Sequence, residues 1–191
     1  MTLTDALPLL SCGGLSAPQL TGVKIVIAKQ VLEGIDCLHK SGWVHRDIKP
    51  DNIMFDHHRS AQLMDFGLTH RIEQPTRSLR GTPDYSPPEM RPRINRSAKS
   101  MFVDALAHDR WAIGITLMEL ELGRAMTIEE RSRSYMDYPF EAEDLSGLAQ
   151  QFLHDSGDLR LTVDEALQQP LFESDENLRV RGQYASQTGC W

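Results

Sequence analysis

The chain has 191 residues, 40% of them apolar and 25% charged, which is ordinary globular composition with enough apolar mass for one hydrophobic core. A net charge of −7 and a pI near 5.5 argue against a nucleic-acid-binding surface, which needs clustered Lys and Arg to displace phosphate counterions. Cys12, Cys37 and Cys190 form no CxxC pair and leave one over, so neither a disulfide framework nor a zinc site is indicated, and a reducing compartment fits best.

In chain order, residues 2 to 10 read as a short helix, and "SCGGLSAP" as a loop ending in a helix start at Ser16 with Pro18 just inside. The next helix runs to about Lys40, its apolar face built by Leu20, Val23, Ile27, Val31, Ile35 and Leu38, with Lys24, Lys29 and Glu33 read as solvated; Ser41 and Gly42 end it. Two β-type runs, 52 to 56 and 61 to 65, flank the turn-like "HHRS" and predict a small hairpin. His57 and His58, side by side in that turn, read as solvated rather than as metal ligands.

From Phe66 to Met101 the chain is rich in Pro, Gly, Ser and Arg without sustained period, long enough to be read as functional. A strongly apolar helix follows at 109 to 122, then a polar, irregular stretch at 123 to 142. Two amphipathic helices are predicted at 143 to 154 and 162 to 172, the second opened by a Thr162/Glu165 capping box. The expected class is mainly α with one small β-hairpin. The longest apolar runs, such as 111 to 120, are too short to span a bilayer, and the N-terminus lacks the positive region of a secretion signal.

The chemistry concentrates in "HRDIKPDN" at 45 to 52 and "DFG" at 65 to 67. Phosphoryl transfer needs a carboxylate aimed at the attacking hydroxyl, a cation against the transferred group, and side chains that hold magnesium on the nucleotide phosphates. Asp47, Lys49, Asn52 and Asp65 are groups of those kinds, and the predicted hairpin would bring both ends of the segment to one cleft.

These strings resemble the signature set of eukaryotic-type serine/threonine protein kinases. The similarity runs from about residue 2 to 172 as an ordered series: "HRDIKPDN", "DFG", "GTPDYSPPE" at 81 to 89, "DRWAIG" at 109 to 114 and "DLRLT" at 158 to 162. The resemblance implies a protein-kinase-like large C-terminal lobe over 1 to 172 and a C-terminal tail, expected to be flexible, over 173 to 191. It implies ATP and Mg²⁺ as cofactors, Asp47 as the catalytic aspartate, Lys49 as the lysine that goes with Ser/Thr specificity, Asn52 and Asp65 as magnesium ligands, and Met54 against the adenine ring. Thr82 is similar to the substrate-loop threonine that bonds the aspartate and lysine. Glu89 and Arg160 resemble a buried ion pair, and Asp109 and Trp111 the anchors that hold the catalytic loop from below.

Arg46 before the aspartate goes with control by activation-loop phosphorylation, for which Ser78 is the best placed acceptor and Thr76 the second. The family's small β-rich lobe, with its glycine-rich loop and strand lysine, is not found in the first 43 residues, so the chain is expected to start just past the hinge between lobes. "CGG" at 12 to 14 does not serve as that loop, because a helix follows it. "PPE" for the usual APE, the basic insert at 91 to 102 and a short region after Gly123 are the other departures.

The leading expectation is therefore a serine/threonine protein kinase acting on protein substrates, with a partner covering the surface that faces the small lobe, no nucleic-acid or membrane partner, and a cytoplasmic location with the nucleus open. The alternative, from another class, is a catalytically inactive kinase-lobe module acting through protein–protein interaction. A small-molecule phosphotransferase is the third, against which "GTPDYSPPE" and Lys49 argue.

Overall fold

The chain is seen here as a computed structural model that describes residues 1–12, 14–74, 80–90, 104–132 and 144–173. Ser78, Thr76, the insert at 91 to 102 and nearly all of the tail lie outside the described residues. Helix α1 (Leu3–Cys12) buries Leu3, Ala6, Leu7 and Leu10, the spacing of a single apolar face. Its start is fixed twice: Thr2 and Asp5 cap each other, and the Phe55 amide donates to the Met1 carbonyl at 3.0 Å.

Helix α2 (Ala17–Lys40) begins at Ser16, whose backbone N–H donates to Gln19 Oε1 at 2.9 Å, and ends at Ser41 and Gly42, as its sequence predicts. Its buried stripe packs against α3 (Ala105–Leu122), which is buried from Ala107 to Leu120 except at Arg110 and accordingly carries apolar residues on every side, with Asp109 and Glu119 as enclosed charges among them. The third layer is α5 (Leu145–Phe152), laid on α3 where Gly114 leaves room: a Cβ there would stand 2.6 Å from Leu153 Cγ and 2.9 Å from the Ala149 carbonyl oxygen. Helix α4 (Ile128–Ser132) lies between them in the chain, and α6 (Val163–Leu167) packs on α2.

The β structure is two nested antiparallel pairs. Inner strands β2 (Ile53–Phe55) and β3 (Ala61–Leu63) form the expected hairpin, with Ile53 opposite Leu63 and Phe55 opposite Ala61. Outer strands β1 (Trp43–Val44) and β4 (His70–Arg71) pair around it, Trp43 opposite Arg71, and the Arg71 guanidinium lies 4.8 Å over the Trp43 ring. Nesting has a geometric consequence: segments 45–52 and 64–69, which join outer to inner strands, emerge side by side.

Several expectations are corrected. Helix α3 starts four residues earlier than expected, because Asp104 caps it by accepting from Ala107 N at 3.0 Å. The helix predicted over 162 to 172 keeps its Thr162/Glu165 capping box but ends at Leu167, since Pro170 has no N–H to continue the ladder and instead opens a 3₁₀ turn, Pro170–Phe172. The stretch after Gly123 contains α4 rather than being irregular throughout. Lys24, expected on a solvated face, is buried: its Nζ donates to the Glu121 carbonyl at 2.5 Å, one of the carbonyls left over at the end of α3, and lies 3.4 Å from Glu121 Oε2.

Candidate active site

Segment 45–52 is anchored from beneath by Asp109 on α3. Asp109 is fully buried and accepts the backbone N–H of His45 on Oδ2 and of Arg46 on Oδ1, each at 2.7 Å, with His39 Nε2 3.0 Å from Oδ2. Burial opposes its ionisation, and the imidazoles of His108 and His39 more than offset that, holding its carboxyl well below the usual carboxylate range. These bonds hold Arg46 at φ +71°, a left-handed conformation that disfavours a side-chain-bearing residue by about 1–3 kcal/mol. Arg46 is itself buried, and burial together with the nearby Arg80 lowers its affinity for the proton below that of an ordinary guanidinium.

Asp47 follows, and the side chains of Lys49, Asn52 and Thr82 converge there. Its Oδ1 accepts Thr82 N at 2.8 Å and Thr82 Oγ1 at 2.7 Å; its Oδ2 accepts Asn52 Nδ2 at 2.9 Å and lies 2.9 Å from Lys49 Nζ. Lys49 Nζ also donates to Thr82 Oγ1 at 2.7 Å, and Asn52 Nδ2 to the Asp47 carbonyl at 2.8 Å. Partial burial works against the charge on Asp47, and the hydrogen bonds from Lys49 and Thr82 outweigh it, so the carboxyl titrates below its ordinary range and is ionised at neutral pH.

Thr82 reaches Asp47 because Gly81 lets two backbones touch. Gly81 sits at φ +107°, and a Cβ on it would stand 2.3 Å from the Arg46 carbonyl oxygen. The 3₁₀ turn Pro83–Tyr85 begins immediately after Thr82.

Segment 64–69 closes the other side. Met64 N donates to the Asn52 carbonyl at 2.8 Å, which sets Asp65 beside Asn52, and His45 Nε2 lies 3.0 Å from the Met64 carbonyl, with the His45 and Phe66 rings 5.4 Å apart. Asp65 is left-handed at φ 57°, exposed, and accepts from Gly67 N at 3.2 Å. Met54 lies on β2, paired with Gln62 across the hairpin and bridged to Thr2, and is partly open with Met64 and Phe66.

Of the four residues expected to brace the site, Asp109 lies directly beneath segment 45–52, and Glu89, Trp111 and Arg160 form a separate group. Arg160 is enclosed, with Nη1 and Nη2 donating to the two Glu89 oxygens at 2.8 Å each, Nη1 to the Ala107 carbonyl at 2.9 Å and Nε to the His154 carbonyl at 2.8 Å. Its guanidinium stands 5.0 Å over the Trp111 ring. The pair is not buried as expected on both sides: the Arg160 side chain is enclosed, and the Glu89 side chain is 40% exposed. Sequence reading passed over His39, which reaches Asp109 across 70 positions, and the Tyr85–Glu119–Arg131 group, whose members no local spacing connects.

Among the described residues no group of three or more His, Cys, Asp or Glu is arranged to hold a metal, and no helix is long and apolar enough to cross a membrane. A family profile described as protein kinase domain matches residues 21–172. The chain is 32% identical over 168 residues to mitogen-activated protein kinase kinase kinase 3 of Arabidopsis thaliana, covering 78% of this chain and 24% of that one. It is 31% identical over 165 residues to the liver/testis isoform of the phosphorylase b kinase gamma catalytic chain of Homo sapiens, covering 78% and 40%. It is 31% identical over 152 residues to a probable serine/threonine-protein kinase of Dictyostelium discoideum, covering 78% and 10%. The chain thus spans at most two fifths of the length of these relatives. With a profile match that covers most of its length, the chain belongs to the protein kinase family.

Proposed function

We propose that this chain is the catalytic lobe of a serine/threonine protein kinase, transferring the γ-phosphoryl group of ATP to a hydroxyl of a protein substrate. The observation that carries the reading is the convergence of Lys49, Asn52 and Thr82 on the Asp47 carboxylate, with Asp65 next to Asn52. Asp47 orients the acceptor hydroxyl by taking its hydrogen bond; held below the usual carboxylate range, it is a weak base that positions rather than strips the proton early. Lys49 sets a cation beside the carboxylate, where charge on the transferred group develops, and Thr82 ties both into one geometry. Lys49 at this position, and a relative named as a serine/threonine-protein kinase, support Ser/Thr over Tyr.

Magnesium fits the donors present. Asn52 spends its amide nitrogen on Asp47, which leaves the amide oxygen, and Asp65 is an exposed carboxylate; hard oxygen donors, one or two in number, are what Mg²⁺ takes alongside phosphate oxygens. When bound it neutralises charge on the nucleotide phosphates. Met54 supplies an apolar side chain to the adenine. Asp109, Trp111, Glu89 and Arg160 are structural supports. Arg46, with Arg80 close by, is a cation group suited to a phosphate on Ser78, a residue outside the described ones.

A second reading, a non-catalytic module, draws on the openness of Met54, Met64 and Phe66, an apolar face that another polypeptide would cover. Calorimetric titration of Mg²⁺·ATP into the chain, with phosphate incorporation into a generic Ser/Thr protein, separates the two. Asp65→Asn is expected to abolish nucleotide binding, and Asp47→Asn to keep it while lowering transfer by about 10²–10⁴-fold. A folded chain that neither binds nor transfers refutes the catalytic reading.

A further inference from the structure

The β2–β3 hairpin has two sides. Alternation along β2 puts Met54 on the side of Asn52, whose amide is bonded to Asp47, and turns Phe55 to the other. On that other side a cavity of about 500 Å³ lies between α1, α2 and the hairpin turn, lined by none of the groups assigned to phosphoryl transfer. Ala6 and Leu10 of α1 and Ile27 of α2, all buried, form its apolar walls together with Phe55. Sites for small molecules are of this kind: about 300–1,000 Å³, mostly apolar, with a few polar groups that fix orientation.

The walls are tied to one another without a ligand. The Phe55 amide donates to the Met1 carbonyl at 3.0 Å and Thr2 bridges Met54, which clips the start of α1 to β2. Ala61 N donates to Gln30 Oε1 at 2.9 Å, which pins β3 to α2. A cavity framed in this way loses little freedom on filling, the condition under which a small ligand binds well.

Its polar groups sit at the hairpin turn, where Asp56, His57 and Arg59 line it. The Asp56 carboxylate is spent on the turn: Oδ1 accepts His58 N at 2.8 Å and Ser60 N at 2.9 Å, and Oδ2 accepts Gln62 Nε2 at 3.1 Å. Arg59 is differently placed. Its Nη1 is enclosed rather than in solvent, and its backbone is left-handed at φ +64°, a position for which turns favour Gly, Asn or Asp. An arginine kept there against backbone preference points to a use for its side chain. A guanidinium carries several N–H donors in one plane, so it can serve a neighbour in the protein and still present a pair to a carboxylate.

We propose that this cavity is a binding site for a small amphipathic carboxylate, its hydrocarbon body against Ala6, Leu10, Ile27 and Phe55 and its head on the Arg59 guanidinium. One planar fork matches one carboxylate. A head of higher charge, such as a phosphate monoester, would meet the Asp56 charge with a single guanidinium to offset it.

The test uses the full chain, labelled with ¹³C at the isoleucine δ-methyls, and probes of one chain length: octanoate, 1-octanol and octylammonium. Ile27 lines the cavity whereas Ile113 and Ile115 are buried in α3, so their signals separate binding here from binding elsewhere. Octanoate is expected to move the Ile27 signal saturably, about tenfold more tightly than 1-octanol, with octylammonium weakest. Arg59→Gln should bring octanoate down to the level of 1-octanol. Ala6→Leu, which fills the cavity from its wall, should abolish binding of all the probes.

Failure of octanoate to move Ile27, equal binding of 1-octanol or octylammonium, or an unchanged octanoate affinity in Arg59→Gln overturns the proposal. Should Arg59→Gln not fold, Arg59→Lys keeps the charge without the fork, and octanoate alone is expected to weaken, by at least about threefold. Every readout is free of nucleotide and of phosphoryl transfer, so the outcome stands apart from the catalytic reading.

Discussion

Replacing Asp109 by asparagine tests whether α3 holds the Asp47 loop from below. The two bonds it accepts, from His45 N and Arg46 N at 2.7 Å, are charge-assisted and buried, worth about 1.5–3 kcal/mol each. Asparagine keeps one oxygen, so one backbone N–H would face an amide NH₂ with no water at hand. The lost bond and the stranded donor together set a destabilisation of about 3–5 kcal/mol.

The pH dependence gives an independent check with a definite sign. The folded carboxyl of Asp109 titrates below its unfolded value, so its stabilisation is complete above the ordinary carboxylate range and is lost as pH falls below it. Asparagine has no such dependence, and the gap between parent and variant should narrow by about 1 kcal/mol between pH 6 and pH 3. Urea denaturation followed by circular dichroism at both pH values measures it. A gap under about 1 kcal/mol at pH 6, or one that does not narrow, refutes the anchoring role.

Three further outcomes are expected. Arg160→Lys removes a fork that serves both Glu89 oxygens and the carbonyls of Ala107 and His154 at once, and urea denaturation should register a loss of about 2–4 kcal/mol, against near neutrality if charge alone mattered. Gly114→Ala improves helix propensity by about 1 kcal/mol yet drives a Cβ to 2.6 Å from Leu153 Cγ, so a lowered thermal midpoint confirms close α3–α5 contact and a raised one denies it. Gly81→Ala, forced into a left-handed conformation against the Arg46 carbonyl oxygen, should displace Thr82 from Asp47; phosphate transfer, measured alongside unfolding, should fall by at least about tenfold while the global fold persists.

What could be read from the sequence follows the range of the forces involved. Helix α2 was legible because its apolar positions and its Ser16 and Gly42 ends are local signals, and the β2–β3 hairpin because its turn lies between its strands. "HRDIKPDN" and "DFG" disclosed their groups because carboxylate, ammonium and amide side chains are packed into a few residues. The pairing of β1 with β4 was not legible: two-residue strands have no period, and their register is set by the hairpin nested inside them. Lys24 was misread for a related reason, since periodicity reports which face a residue is on and not that the end of α3 lies beside it. Pro170 did carry a local signal, and the apolar pattern running through it masked where α6 stops.

Two long-range contacts of α3 explain why it carries buried carboxylates at both ends of its enclosed stretch. Asp109 near its start holds the backbone before Asp47, and Glu119 ten residues on holds Tyr85 in the turn that follows Thr82. Ten residues of helix measure about 15 Å, so one rigid element fixes both segments that meet at the Asp47–Thr82 contact. Each anchor is a carboxylate in the interior, an arrangement disfavoured by desolvation unless its donors are held in place. Those donors are the backbone of the Asp47 loop for the first, and Tyr85, Met126 and Arg131 for the second. The charge of each anchor and the position of its segment are therefore mutually dependent: a segment that leaves strands a buried charge, and a neutralised anchor releases its segment. On this argument the geometry around Asp47 is set from the interior outward, by carboxylates on α3 that lie beneath it.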